Sequence, residues 1–304
     1  MAPAPSVGVR PALSSARADS LVKQWDLHNA VFTFQPSAFD YEHRENDIFL
    51  LSYPKCGSNW LQHMYWSLLN DGRALPAGAR VNELCPWLEF VGKEATEGMP
   101  AAPKRLIKSH ISLKYLRYSP DAKYVYLIRN PKDVLISFWH HHVGFGILPD
   151  TAFDQFFESF LDGSVRWGSY FSHLQDILDE LNNCGSTSNI LIMRYEDMKK
   201  DTPAALKQIL DFSGVRNLDG LDDGSLMRRV IENTNIKSMQ QDPQRWLPSE
   251  GSWKRQDFSF IRQGATNNWR QFLSDTQNQR IDSKFKEYFT GTMVEHWWDK
   301  EMTK

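Results

Sequence analysis

Cysteine is scarce in this chain. Cys56, Cys85 and Cys184 are the only three in 304 residues, and they stand far apart with no CxxC pair or metal-ligand spacing. Neither a zinc site nor a disulfide framework is expected, and free thiols are the simpler reading. Net charge is nearly absent too: 35 basic against 37 acidic residues leave −2, which gives no overall field for holding nucleic acid or an anionic membrane. Any anionic ligand has to be held by a local cluster. No apolar run approaches the roughly 20 residues needed to cross a bilayer, and the N-terminus lacks the basic-then-apolar layout of a secretory signal, so the expected location is cytoplasmic. Also missing are a GxxxxGK[ST] loop and paired acids beside it to hold magnesium. Their absence disfavours a small-molecule kinase, the nearest alternative built on a strand, a loop and a helix.

What is present suits a single α/β domain. The Pro- and Ala-rich stretch MAPAPSVGVRPALSSAR reads as a disordered arm over residues 1–18, followed by one domain over residues 19–304. Three segments repeat one layout. Asp47 to Tyr53 (DIFLLSY) is a strand-like run that passes through Pro-Lys-Cys-Gly into the helical pattern WLQHMYWSLL. Lys123 to Ile128 (KYVYLI) runs through Arg129-Asn130 into PKDVLISFWHH. Asn189 to Tyr195 (NILIMRY) precedes a helix that Pro203 opens and Gly214 closes. In the second unit Asn130 suits an N-cap, Pro131 the first turn and Asp133 the positive end of the helix dipole. Strands alternating with helices predict a central, mainly parallel sheet flanked by helices, with ligands gathered at the carboxyl ends of the strands. Residues 235–264 are polar and irregular, with Pro243, Pro248 and Gly251, and read as a lid over the site.

The segment YPKCGSNW puts a lysine, a glycine and two small polar side chains between a buried strand and a helix N-terminus, where free amides and the helix dipole favour an anion. Arg129 stands at a second helix mouth with Ser137 two turns in, so a guanidinium, amides and a hydroxyl can surround a second phosphate. Two anion sites imply a ligand with two phosphate-bearing ends. With YEDMKKDTPAALKQIL, NTNIKSM and FIRQGATNNW following in order, the chain resembles the cytosolic sulfotransferase family from about residue 47 to 289. It is most similar to the family-6 branch, on Cys-Gly-Ser-Asn and on QNQRIDSKFKEYFTGT.

The resemblance implies transfer of a sulfuryl group from 3′-phosphoadenylyl sulfate (PAPS) to a hydroxyl or amine of a small-molecule acceptor. The product is adenosine 3′,5′-bisphosphate (PAP), and no metal is called for. It implies that Lys55, Cys56, Gly57, Ser58 and Asn59 wrap the 5′-phosphosulfate and that Trp60 and Tyr195 contact the adenine. Arg129, Ser137, Arg262, Gln263 and Gly264 fall to the 3′-phosphate end, and Thr234 to Met239 to the adenine end. His110, in RLIKSHISL, is the implied general base, with Lys55 on the leaving oxygen and Lys108 assisting. Trp87 and Phe90, in PWLEF, and His141 are the implied acceptor wall, alongside Lys108 and His110. His140, His141 and His142 are consecutive on a helix, so their side chains diverge and do not share a metal.

Some positions depart from the family pattern. Asn59 replaces a hydroxyl residue, Gln263 a lysine, Asn267-Asn268-Trp269 a Gly-Asp-Trp, and Ile236 an aromatic. These changes bear on donor affinity more than on donor identity. The RQFLSDTQNQ stretch at residues 270–279 is a degenerate form of the usual dimerisation motif, so a homodimer is possible on the family's precedent without being supported by its motif.

Overall fold

A computed structural model describes residues 10–25, 33–100, 104–184, 189–215, 218, 220–221, 223–248, 254–255, 257 and 259–304. The side chains of residues 183 and 184 lie outside that description, and with them the thiol of Cys184. Four strands form the sheet: β1 (Asp47–Ser52), β2 (Arg105–Ser109), β3 (Lys123–Ile128) and β4 (Ile190–Arg194). Their order is β2-β1-β3-β4 and every pairing is parallel. β1 and β3 are sealed by Ile48, Phe49, Leu50 and Leu51 and by Tyr124 to Ile128, all almost without exposure, as parallel strands covered on both faces must be.

The chain leaves β1 on one side to reach β2 and leaves β3 on the other to reach β4, so the switch in connection direction falls between β1 and β3. A crevice opens at the carboxyl ends of strands at such a point. Helix α1 (Ser58–Leu69) follows β1 and α2 (Pro131–Gly144) follows β3. Helix α3 (Tyr170–Cys184) packs behind the segment after β2, and α4 (Tyr195–Lys200) and α5 (Thr202–Ser213) follow β4. The caps are those read from the sequence: the Asn130 side chain accepts from the Lys132 amide, and Gly214 ends α5 at φ 69°.

Three features differ from the sequence reading. β2 carries Arg105 and Lys108, which disguise it as a surface segment, yet all five of its residues are buried. Arg105 is held by the Tyr41 hydroxyl and by Asp47, and Lys108 by the Asn59 side chain. The segment read as an irregular lid folds locally, with helical turns at Ile236–Gln240 and Pro243–Trp246; residues 249–253 lie outside the described residues. Residues 10–18, read as part of a disordered arm, are anchored at both ends though mostly exposed between: the Arg10 amide donates to the Tyr118 carbonyl, a helix starts at Ser15, and Ala18 is buried. Among the described residues no helix is long and apolar enough to cross a membrane.

Candidate active site

Each of the four parallel strands delivers one functional side chain to the same rim: Lys55 after β1, His110 after β2, Arg129 after β3 and Tyr195 after β4. All four line a single cleft of about 290 Å³. The loop after β1 is shaped by two left-handed residues, Lys55 at φ 73° and Gly57 at φ 106°. Gly57 cannot be replaced without displacement, because a Cβ there stands 2.7 Å from Cδ2 of Tyr195. The Arg129 guanidinium bridges the two walls, donating to the carbonyls of Lys55 (3.1 Å) and Ala265 (2.8 Å) while it stacks 4.3 Å from the Tyr195 ring.

Charge in the cleft is one-sided. Lys55, Lys108, Arg129, Lys199 and Arg262 line it, and no carboxylate is among the described lining residues. Burial, then the positive charges of Lys108, Arg129 and Arg262, lower the pKa of Lys55 to about 7. Burial lowers Lys108 to about 8. Arg262 is lowered by burial and by Arg129, and Asn268 presents its amide oxygen to the Arg262 guanidinium. Crowded cations held away from water favour a polyanionic ligand, because it alone relieves both their repulsion and their desolvation.

The His110 ring is fixed. Its Nδ1 lies 2.8 Å from the Ser52 carbonyl oxygen, an acceptor only, and 3.2 Å from the Ser52 hydroxyl, so Nδ1 carries the proton and Nε2, on the opposite edge, is an acceptor with no hydrogen-bond partner among the described residues. Burial, then the charge of Lys108, pushes the imidazole well below its ordinary pKa, which keeps it neutral. Trp87 and Trp167 meet the ring edge-on at 5.4 and 5.5 Å and lie nearly parallel to each other, 6.0 Å apart. Trp87 pairs as an isolated bridge with Lys108, whose ammonium lies 4.2 Å from the Trp87 ring centre and donates to Asn59 Oδ1 at 3.0 Å.

The residues expected around the ligand converge, except Cys56, Phe90 and, within the stretch Thr234 to Met239, Lys237 and Ser238. Lys55, Gly57, Ser58, Asn59, Trp60, Trp87, Lys108, His110, Arg129, Ser137, His141, Tyr195, Thr234, Met239, Arg262, Gln263 and Gly264 all line the cleft. Cys56 and Phe90 do not. The Cys56 side chain turns into the core, 1% exposed, where burial raises its thiol pKa, and Phe90 packs behind Trp87 with ring centres 6.1 Å apart.

The helix mouth of α2 is a correction as well. Its Lys132 amide is already taken by the Asn130 side chain, the Asn130 amide donates to Glu196, and residues 130–133 do not line the cleft. Side chains line the cleft instead, Arg129, Arg262 and Ser137 among them. Ile236 lines the cleft where an aromatic was expected and packs over Gly264. Asn267 stands at φ 62° with its amide on Asp133, a backbone position an asparagine tolerates. The three histidines diverge as expected: His142 bonds the Phe138 carbonyl, His140 packs on Trp139 and Phe272, and His141 reaches the cleft. Sequence reasoning missed Lys199 and Trp167. Lys199 was within reach, because it lies four residues after Tyr195 on α4 and so shares its face.

The sulfotransferase domain family matches residues 45–293. This chain is a member of the sulfotransferase family. Human sulfotransferase 6B1 is 32% identical over 268 residues, covering 86% of this chain and 82% of its own, and human sulfotransferase 1C2 is 26% identical over 267 residues, covering 84% and 86%. Mouse sulfotransferase SULT7A1, solved in complex with PAP, superposes with a TM-score of 0.68 at 26% identity over 87% of this chain and 92% of its own. Retinol dehydratase in complex with androsterone and PAP shares the fold, with a TM-score of 0.72 at 19% identity over 95% and 98%. As a sulfotransferase, the protein is a transferase enzyme, and the rim described above is its candidate active site.

Proposed function

We propose that this sulfotransferase moves the sulfuryl group of PAPS onto a hydroxyl or amine of a small acceptor, with His110 as general base. The observation that carries this reading is the tie of His110 Nδ1 to the Ser52 carbonyl, which leaves an unprotonated Nε2 beside Lys108 in a cleft of cations. The acceptor oxygen or nitrogen attacks sulfur while its proton passes to Nε2. The bond from sulfur to the bridging phosphate oxygen breaks, and its electron pair leaves with PAP. Charge grows on that oxygen in a loose transition state, and Lys55 and Lys108 stabilise it.

PAP in the SULT7A1 complex supports a 3′,5′-bisphosphate donor here. Lys55, Ser58 and Asn59 would hold its 5′ end, Arg129, Ser137 and Arg262 its 3′-phosphate, and Trp60 and Tyr195, 5.8 Å apart at 73°, its adenine. On the acceptor side Trp87, Trp167 and Phe145 give an apolar wall. His141 Nδ1 is buried without a hydrogen-bond partner among the described residues, which favours an acceptor with a second polar group. Incubation with sulfur-labelled PAPS and a panel of phenols, alcohols and amines, with a chelator present, is expected to yield a labelled acceptor. Labelled product that appears only when a divalent metal is restored overturns the reading, as does no transfer to any member.

The pKa of Lys55 gives PAP binding a pH dependence. The ammonium is favoured by a bound phosphate, so a value of about 7 set by burial and neighbouring cations rises on binding. Affinity from this group is full below pH 7 and declines as pH rises above it, by at most about tenfold per pH unit, with uptake of a proton. Calorimetry of PAP binding between pH 7 and 8.5, in buffers of different ionisation enthalpy, reads both quantities. Affinity that rises over this range contradicts the expectation.

A further inference from the structure

The segment that carries His110 is gripped by groups the transfer chemistry does not use. Helix α3 presents His173, Asp176 and Glu180 at spacings of three and four residues, one face of the helix, and all three are buried. Each holds a different point of the chain. His173 Nε2 donates to the His110 carbonyl oxygen at 3.0 Å, Asp176 Oδ2 accepts from the Ser112 hydroxyl at 2.9 Å, and Glu180 meets Arg10. From the opposite side Glu89 Oε1 accepts the His110 amide at 2.6 Å.

The His173 tautomer follows from its partners. A carbonyl oxygen can only accept, so the proton of neutral His173 sits on Nε2, and Nδ1 shares the Tyr126 hydroxyl proton on β3 with the His173 carbonyl oxygen, 3.1 Å from that hydroxyl. Burial lowers this imidazole to about 4, which preserves that state at neutral pH. The bond is needed because the register of β2 on β1 ends at Ser109. Beyond it the His110 carbonyl has no strand partner, is buried, and without His173 would be unsatisfied. Without this anchor the chain leaving β2 could shift, and a displacement of the His110 Cα would carry the ring off the Ser52 carbonyl.

We infer that His173, oriented by Tyr126, is a positioning residue that pins the main chain of His110 so that its Nδ1 stays on Ser52 and its Nε2 stays presented to the acceptor. The inference rests on the reading of His110 as base. His173→Phe keeps the ring volume and deletes the donor; His173→Gln keeps an N–H donor. In histidine-labelled protein, nitrogen NMR between about pH 6 and 8 is expected to show His110 in one neutral tautomer, protonated at Nδ1, in the wild type and in His173→Gln. In His173→Phe the two His110 nitrogens are expected to average.

With PAPS and a series of phenols of graded acidity, His173→Phe is expected to lose about tenfold in kcat on weakly acidic phenols. The loss should be small on phenols that ionise unaided near neutrality, with PAP affinity unchanged and His173→Gln restoring most of the rate. An unaltered His110 tautomer in His173→Phe overturns the inference, and so does a uniform loss across the series, which is what a merely structural role produces. If His110→Ala itself shows no dependence on phenol acidity, the base assignment fails instead, and the tautomer measurement judges the positioning role alone.

Discussion

His110→Ala is expected to lower kcat by roughly 10²- to 10⁴-fold on acceptors that stay protonated at neutral pH, the usual contribution of a positioned base. PAP affinity should change little. The imidazole is tied to β1 through Ser52 and flanked by Trp87 and Trp167, and apart from Lys108 on β2 the guanidinium and ammonium groups proposed to meet phosphate come from other segments. Because burial and Lys108 keep the ring neutral, wild-type kcat should show no acid limb from this group near pH 6.5. Steady-state kinetics with PAP calorimetry separate the two quantities. Full turnover by the variant removes the base assignment.

Lys55→Met should cost roughly 10²- to 10³-fold in kcat, the scale seen when one group stabilising a developing oxyanion is lost. The unbranched Met keeps most of the stem, so the loop should hold its shape. Lys55 already tolerates a left-handed backbone at φ 73°, and its carbonyl remains braced by Arg129. PAP affinity should fall far less than kcat, because Lys108, Arg129, Lys199 and Arg262 remain around the ligand. Equal losses in kcat and in PAP affinity would assign Lys55 to ground-state binding alone. The Lys55 share of the pH dependence of PAP binding should disappear with it, leaving that of Lys108, which burial lowers to about 8.

The parts of the fold legible in sequence were those where local signals agreed. DIFLLSY, KYVYLI and NILIMRY are β-branched or aromatic runs, each followed by a helix, and their strands lie where those runs do. β2 was not legible, because RLIKS is short and doubly charged, and its burial depends on partners distant in sequence, Tyr41, Asp47 and Asn59. The same limit governs the site. Lys55, His110 and Arg129 were reached through motifs that keep their neighbours together, whereas Trp167 is brought to His110 only by the tertiary fold.

The α2 error is instructive in another way. Asn130 was read as a cap and the same helix mouth as an anion cradle, yet a capping side chain consumes the amide that the cradle would need. Cys56 fails for a related reason, since the turn that exposes Lys55 and Gly57 sends the residue between them inward.

One guanidinium joins the segments at residues 55, 129 and 265. Segments distant in sequence are therefore held together by the protein's own bonds, which lowers the ordering entropy that a ligand held by them would cost. Arg129 also spends two of its five N–H groups on that brace, so a phosphate bound there, as proposed, would share a fork already partly engaged. Selectivity at this end should come from fit within a fixed frame: an anion of the wrong size has no second arrangement of the fork to adopt.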